Sequence, residues 1–133
     1  MQVDGSCHCG YLKFQAEADP EKTRACHCTD CQTMSGSPFR VVVVAEPNSF
    51  KLLAGEPATY IKTAESGNKR LQAFCPKCGA GVFATAAGDG PKVYGLRVGT
   101  LSQRAQFVPK QQIWTRSAQS WAKLDDLPAV EKQ

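Results

Sequence analysis

Seven cysteines in three short clusters constrain this chain of 133 residues more than any other feature of its sequence. The clusters lie at residues 7–9, 26–31 and 75–78. An odd count cannot be paired completely into disulfides, and C-x-C and C-x-x-C are typical spacings of metal ligands. The opening MQVDGSCHCG lacks the basic and apolar regions of a signal peptide, so we expect a cytoplasmic protein with reduced thiols. Metal ligation is therefore the leading interpretation.

Two cysteine pairs that lie far apart in the sequence can supply the four ligands of a tetrahedral structural zinc site. Gly10 follows the first pair and Gly79 follows the second. Glycine can adopt the positive φ that lets the backbone turn around a metal and point amides at sulfur. The sequence thus predicts one closed zinc site. Its ligands are Cys7, Cys9, Cys75 and Cys78.

The remaining cluster has three cysteines within six residues, Cys26, Cys28 and Cys31. Three protein ligands with a free fourth position are typical of a catalytic zinc, whereas structural sites are closed by four ligands. Three thiolates make zinc a weak Lewis acid that favours exchange with another thiol. We therefore predict a catalytic and labile zinc here, carried by these three residues. The alternatives are closure by Asp30 as a second structural site, and a redox or zinc-sensing role.

Both histidines stand between two cysteines, His8 in the first cluster and His27 in the second. Successive side chains of an extended backbone point to opposite faces, so neither histidine is expected to be a ligand. His27 is a candidate proton shuttle because its unperturbed pKa lies near neutrality, and a packed histidine is the alternative.

The pattern along the chain predicts a mainly β single domain at 1–128 with a polar tail at 129–133. The run 39–45 is β-branched and almost uncharged, which predicts a core strand buried on both faces. One short helix is expected at 29–34, ended by Gly36, with a weaker second candidate at 117–123. No apolar run reaches the roughly 20 residues of a membrane span. The other predicted strands are 11–16, 50–53, 58–63, 69–74, 81–85 and 92–98.

The net charge of +4 is scattered along the chain and does not form the stripe expected of a nucleic-acid-binding surface. We therefore expect neither nucleic-acid nor membrane partners. Guanidinium groups match carboxylates, so four arginines are candidates to bind an acidic ligand, with a solvated surface charge as the alternative for each. They are Arg40, Arg70, Arg97 and Arg116.

The ordered combination C-x-C, C-x-C-x-x-C-x₄-G and F-C-x-x-C-G resembles the glutathione-dependent formaldehyde-activating enzyme family, the GFA or CENP-V/GFA domain. One departure is Gln111-Gln112 before Ile113, where many relatives have a histidine. The matching stretches are 5–14, 25–39, 55–60, 74–83 and 113–128.

The resemblance implies a Mss4-like fold, a β-tent of stacked antiparallel sheets with very little helix. It also implies two zinc ions on the same two ligand sets, and a carbon–sulfur lyase that joins glutathione to formaldehyde as S-(hydroxymethyl)glutathione. The partner would be a small thiol such as glutathione. Two alternatives are the same scaffold acting on another thiol or small substrate, and a zinc-stabilised binding module. The binding module predicts a filled fourth position and an exposed patch around Trp114 and Trp121.

Overall fold

Ten strands in two sheets and one α-helix make up the part of the chain that the computed structural model describes, residues 1–123, 128 and 130–132. The prediction of a mainly β fold is confirmed. The helix α1 spans Thr29–Ser35 and ends at Gly36 in the left-handed conformation, as predicted. The strands are β1 Gln2–Ser6, β2 Lys13–Glu17, β3 Arg24–Cys26, β4 Arg40–Val44, β5 Lys51–Ala54, β6 Ala58–Thr63, β7 Lys69–Phe74, β8 Gly81–Ala86, β9 Gly95–Arg97 and β10 Gln111–Ile113.

The small sheet has the order β1-β2-β5, and the large sheet has the order β10-β3-β4-β9-β8-β7-β6. All pairings are antiparallel except that of β10 with β3, which is parallel. The antiparallel sheets that the resemblance implies are therefore present, and this edge adds one parallel pair. Because β9 and β10 run in the same direction, residues 98–110 must cross over between them, as parallel strands require.

The hydrophobic core includes buried residues of both sheets. Phe14 of β2 lies 5.4 Å from Phe50 between ring centroids, and Phe50 lies 4.8 Å from Phe83 of β8. On the large sheet, core residues alternate with residues of the opposite face, so Phe83 is followed by Ala84 and Leu96 by Arg97. The face opposite the core is thus free to carry a site.

The prediction that the strand at 39–45 is buried on both faces is wrong. In β4 only Val43 is fully buried, and its neighbours are half-buried. One face of β4 packs on the core while Arg40 on the other face lines a cavity. The helix predicted at 117–123 is also wrong, since a short 3₁₀ helix at Thr115–Ser117 and a turn take its place. The strand predicted at 92–98 shortens to Gly95–Arg97.

The domain boundary at residue 128 stays a prediction, and residues 129 and 133 of the predicted tail lie outside the described residues. None of the helices in the described part of the chain has the length and hydrophobicity of a transmembrane segment.

Candidate metal centres

The four cysteines predicted to form the closed site lie together in two similar turns. The first turn links β1 to β2 and the second links β7 to β8. In each turn a glycine amide donates to the carbonyl of the first cysteine: Gly10 to Cys7 at 3.3 Å and Gly79 to Cys75 at 2.8 Å. Both glycines have positive φ, +84° and +79°, which favours glycine over other residues here.

The sulfur positions fit a tetrahedral metal ion. The Sγ atom of Cys9 lies 3.7 Å from that of Cys7 and 3.7 Å from that of Cys75. Four sulfurs at about 2.3 Å from a central zinc ion would lie about 3.8 Å apart. The four Sγ atoms lie within 4.8 Å of one another, so this cluster can hold a metal ion.

Backbone amides donate to sulfurs of this cluster, as outer hydrogen bonds commonly do around metal ligands. Leu12 N donates to Cys7 Sγ at 3.2 Å, and Lys77 N donates to Cys75 Sγ at 3.3 Å. The pKa of Cys78 is lowered to about 6, first because the backbone of Ala80 donates to its sulfur. Cys7 and Cys75 are buried in the core, so the metal site and the core stabilise each other.

The second cluster is held by a strand end and a helix start. Cys26 ends β3, Cys28 is the N-cap of α1, and Cys31 lies in its first turn. The capping sulfur of Cys28 accepts the amide of Cys31 at 3.2 Å. All three Sγ atoms lie within 4.8 Å of one another, so the trio can also hold a metal ion.

Arg40 is the main charged neighbour of the trio. Its Nη2 donates to Cys31 Sγ at 3.2 Å, and the register places Arg40 directly across from Cys26. Burial alone would raise the pKa of Cys31, but the charge and hydrogen bond of Arg40 lower it below its ordinary value. Burial raises the pKa of Cys26 to about 12. The neighbours of Cys31, Arg40 above all, therefore favour its thiolate form.

A fourth ligand does not join the trio among the residues that the structure describes. Asp30, the residue considered as a fourth ligand, instead forms an ion pair with Lys62 Nζ at 2.7 Å. Among the described residues, the trio therefore offers three ligands for a metal ion.

A cavity of about 400 Å³ opens beside the trio on the face of the large sheet opposite the core. Residues from β4, β6, β7, β8 and β9 form its floor, and the segment from Ile113 to Ser117 forms a wall. This volume is in the usual range of small-molecule sites. The five cations that line it are Arg40, Lys62, Arg70, Arg97 and Arg116.

Two of these cations are neutralised within the cavity wall. Lys62 pairs with Asp30, and Arg116 pairs with both carboxylate oxygens of Glu65, at 2.9 and 3.1 Å. Three arginines remain without a carboxylate partner among the described residues. They are Arg40, Arg70 and Arg97.

Arg97 is held by a buried glutamine. Its Nη2 donates to Gln72 Oε1 at 2.7 Å. Burial lowers the pKa of Arg97 to about 10, and the nearby charge of Arg40 contributes. Arg97 still keeps its charge at neutral pH, so the cavity is electropositive around a cluster of sulfur ligands.

His27 does not line this cavity. Its ring is buried, lies 5.4 Å from the Phe39 ring, and its Nε2 donates to Gln112 Oε1 at 2.8 Å. The His27 side chain therefore lies away from the trio, as the alternation of side chains along an extended backbone predicts. Gln112, one of the two glutamines that precede Ile113, is thus the hydrogen-bond partner of His27.

Comparison with known proteins agrees with this geometry. The family model described as glutathione-dependent formaldehyde-activating enzyme matches residues 2–117. The chain belongs to this family. No curated protein matches it.

One solved structure that resembles this member of the family is a crystal structure of a Rhodobacter sphaeroides protein, a structural genomics target. The two share 20% sequence identity with a TM-score of 0.61, over 84% of this chain and 99% of that one. At this identity the likeness supports the fold alone.

Sequence reasoning selected the cysteines and named the four arginines of the cavity as candidates without assigning them to a site. It considered Trp114 only as part of an exposed patch, and it missed Lys62 and Gln72. Arg70 and Gln72 are two residues apart on β7, so the strand period could have placed them on one face. The strand period gives no comparable indication for Trp114, because this residue lies after the end of β10 in a left-handed conformation with φ of 57°. Trp114 and Trp121 are both exposed but line different cavities.

Proposed function

We propose that this chain is a zinc-dependent carbon–sulfur lyase that joins a carboxylate-bearing thiol such as glutathione to a small aldehyde such as formaldehyde. The observation that carries the proposal is the pairing of a three-cysteine cluster with an electropositive cavity. Membership of the family supports the same chemistry.

Cys26, Cys28 and Cys31 would hold zinc, and zinc would keep a substrate thiol in its nucleophilic thiolate form. The closed cluster would hold a second, structural zinc. Three cysteines rather than four favour this assignment over a binding module, whose second site would be saturated.

The reaction itself is an addition. A bond forms between the thiol sulfur and the carbonyl carbon, and the C=O double bond becomes a single bond. The proton lost by the thiol ends on the carbonyl oxygen, so no oxidant, reductant or further reactant is needed. The chain's own contribution is to hold and orient the thiol, which raises the effective concentration of the reacting atoms.

The arginines orient the thiol through its carboxylates. A guanidinium group binds a carboxylate through two parallel hydrogen bonds, and Arg40, Arg70 and Arg97 have no carboxylate partner among the described residues. Arg40 also contacts Cys31, so a carboxylate bound there would lie close to the sulfur cluster.

Exchange NMR on mixtures of glutathione and formaldehyde tests the proposal by the rate of adduct formation. Wild type should accelerate the exchange, and Cys28→Ser should not, although serine keeps the N-cap of α1. Thr33→Ser on the exposed side of the same helix serves as the control and should behave like wild type. Equal rates for wild type and Cys28→Ser would eliminate a mechanism centred on the cysteine trio.

A further inference from the structure

Trp114 has a backbone conformation that so large a side chain rarely adopts. Its φ of 57° and ψ of 38° lie in the left-handed region, where glycine would form the same turn without strain. Trp114 is 42% exposed and does not belong to the hydrophobic core cluster, so burial in the core does not explain it. Strain of this kind is often kept at functional sites, which directs attention to where the indole lies.

The left-handed turn brings the indole into the cavity beside the cysteine trio. Strand β10 places Ile113 directly across from Cys26, and Ile113 lines this cavity. In an extended strand the next side chain would point to the opposite face. Trp114 nevertheless lines the same cavity, because the backbone changes direction at this residue. The strained conformation thus directs the ring into the space beside the sulfur atoms.

Hydrogen bonds hold the chain on both sides of Trp114. The carbonyl of Ile113 accepts the amide of His27 at 3.0 Å, and the carbonyl of Ser117 accepts Gln32 Nε2 at 2.9 Å. The carbonyl of Trp114 itself accepts the amide of Ser117 at 3.0 Å. The segment is therefore fixed at both ends, so the strain at Trp114 is retained.

The ring has a separate support. The guanidinium carbon of Arg116 lies 4.8 Å from the centroid of the Trp114 ring, within the range of a cation–π interaction. Arg116 is in turn paired with Glu65, in the turn between β6 and β7. The indole is therefore held in place from the side of its backbone and from the side of its ring.

We propose that Trp114 is a positioning residue that covers the open side of the cysteine trio against bulk water. Exclusion of water strengthens electrostatic interactions inside a site and limits competing reactions. The ring acts on the hydration of the sulfur atoms and their metal, not on recognition of the charged ends of a thiol. The proposal rests on one part of the proposed function, the zinc ion held by the trio.

Transfer of zinc from the loaded full chain to the chromogenic chelator pyridylazoresorcinol measures this cover without any substrate. We expect Trp114→Gly and Trp114→Ala to release the first zinc ion about tenfold faster than wild type. Trp114→Phe keeps an apolar ring and should stay within about threefold of wild type. Trp121→Gly is the matched control and should release zinc like wild type, because Trp121 does not line the cavity beside the trio.

Thermal unfolding of the same variants separates the cover from the stability of the fold. Trp114→Gly should melt about 3 °C above Trp114→Ala, because alanine keeps the left-handed strain and glycine relieves it. At Trp121, whose φ is not positive, the alanine variant should melt at or above the glycine variant. Equal zinc release by Trp114→Gly and Trp114→Ala, despite different midpoints, would assign the effect to the lost ring.

Zinc release from Trp114→Gly at the rate of wild type would overturn the cover. A Trp114→Ala variant more stable than Trp114→Gly would overturn the strain on which it is argued. If Trp114→Gly released zinc faster but wild type did not accelerate adduct formation, the proposed reaction would fail and the cover would stand. If wild type held a single zinc ion, both would fail.

Discussion

Arg40 lies between the cysteine trio and the cavity beside it. Its Nη2 donates to Cys31 Sγ, and Arg40 is one of the residues that line this cavity. A hydrogen bond from a cation to a thiolate draws charge from the ligand, and the same cation can attract a carboxylate. In the proposed function, Arg40 is therefore a positioning residue, which would couple the orientation of the cysteine ligands to the charge of the substrate.

Replacement of Arg40 should weaken the binding of a thiol that carries a carboxylate more than that of an uncharged thiol. Arg40→Lys keeps the positive charge but loses the planar fork that matches a carboxylate. We expect the Kd of 3-mercaptopropionate to rise about tenfold, since hydrogen bonds to charged groups contribute about 1.5–3 kcal/mol. The Kd of 2-mercaptoethanol, which has no carboxylate, should change less than about twofold.

Arg104→Lys is a suitable control in the same titration, because Arg104 is exposed and does not line the cavity beside the cysteine trio. An equal loss of affinity for both thiols in Arg40→Lys would mean that Arg40 acts only on the cysteine trio and not on the substrate.

The sequence predicted the sulfur ligands because their spacing is local. Cys28 and Cys31 are brought together by a single helical turn, and the two glycine turns of the closed cluster are equally local. The arginines differ, because Arg40 and Arg97 approach each other only through the pairing of β4 with β9. Residue type made them candidates, and only the sheet order places them in one cavity.

Among the secondary-structure elements, the pairing of β1 with β2 requires a glycine at position 5. Gly5 of β1 lies across from Phe14 of β2, and a Cβ at Gly5 would overlap the Phe14 ring. Phe14 is fully buried, so the ring has little room to move away.

Gly5→Ala should therefore destabilise the protein by about 1–3 kcal/mol through overpacking. Thermal unfolding followed by circular dichroism measures this as a lower midpoint. Gly99→Ala is the matched control, since a Cβ there would meet nothing within 4 Å and its φ is not in the left-handed region. Equal midpoints for the two variants would contradict the account of this strand pair.

Element prediction succeeded for longer strands that are bounded by turn residues, and it failed for some of the short ones. Strands β6 and β7 have the predicted bounds, 58–63 and 69–74. Strands β3 and β10 have three residues each, too few to show a period, and their pairing with each other joins distant parts of the chain. The strand β1 was missed because QVDGS contains a single large apolar residue.

At the scale of the whole molecule, the closed cluster joins the small sheet to the large one. Cys7 follows β1 of the small sheet, Cys75 follows β7 of the large sheet, and both belong to the hydrophobic core. A structural zinc contributes on the order of 10 kcal/mol, comparable to the net stability of a domain.

Cys75→Ser is therefore expected to abolish most of the cooperative unfolding transition or to cause aggregation. Cys28→Ser should keep a cooperative transition, because the trio does not belong to the hydrophobic core cluster and serine retains the helix cap. Thermal denaturation of both variants measures the difference. A Cys75→Ser protein that melted like wild type would mean that the division of the ligands into two sites is wrong.

Native mass spectrometry of the zinc-loaded chain with glutathione tests for an open metal centre, because it counts metal ions and bound thiol together. We expect two zinc ions and one glutathione on wild type, and one zinc ion without glutathione on Cys28→Ser. A single zinc ion on wild type, or equal retention of glutathione by the two proteins, would contradict an open metal centre at Cys26, Cys28 and Cys31.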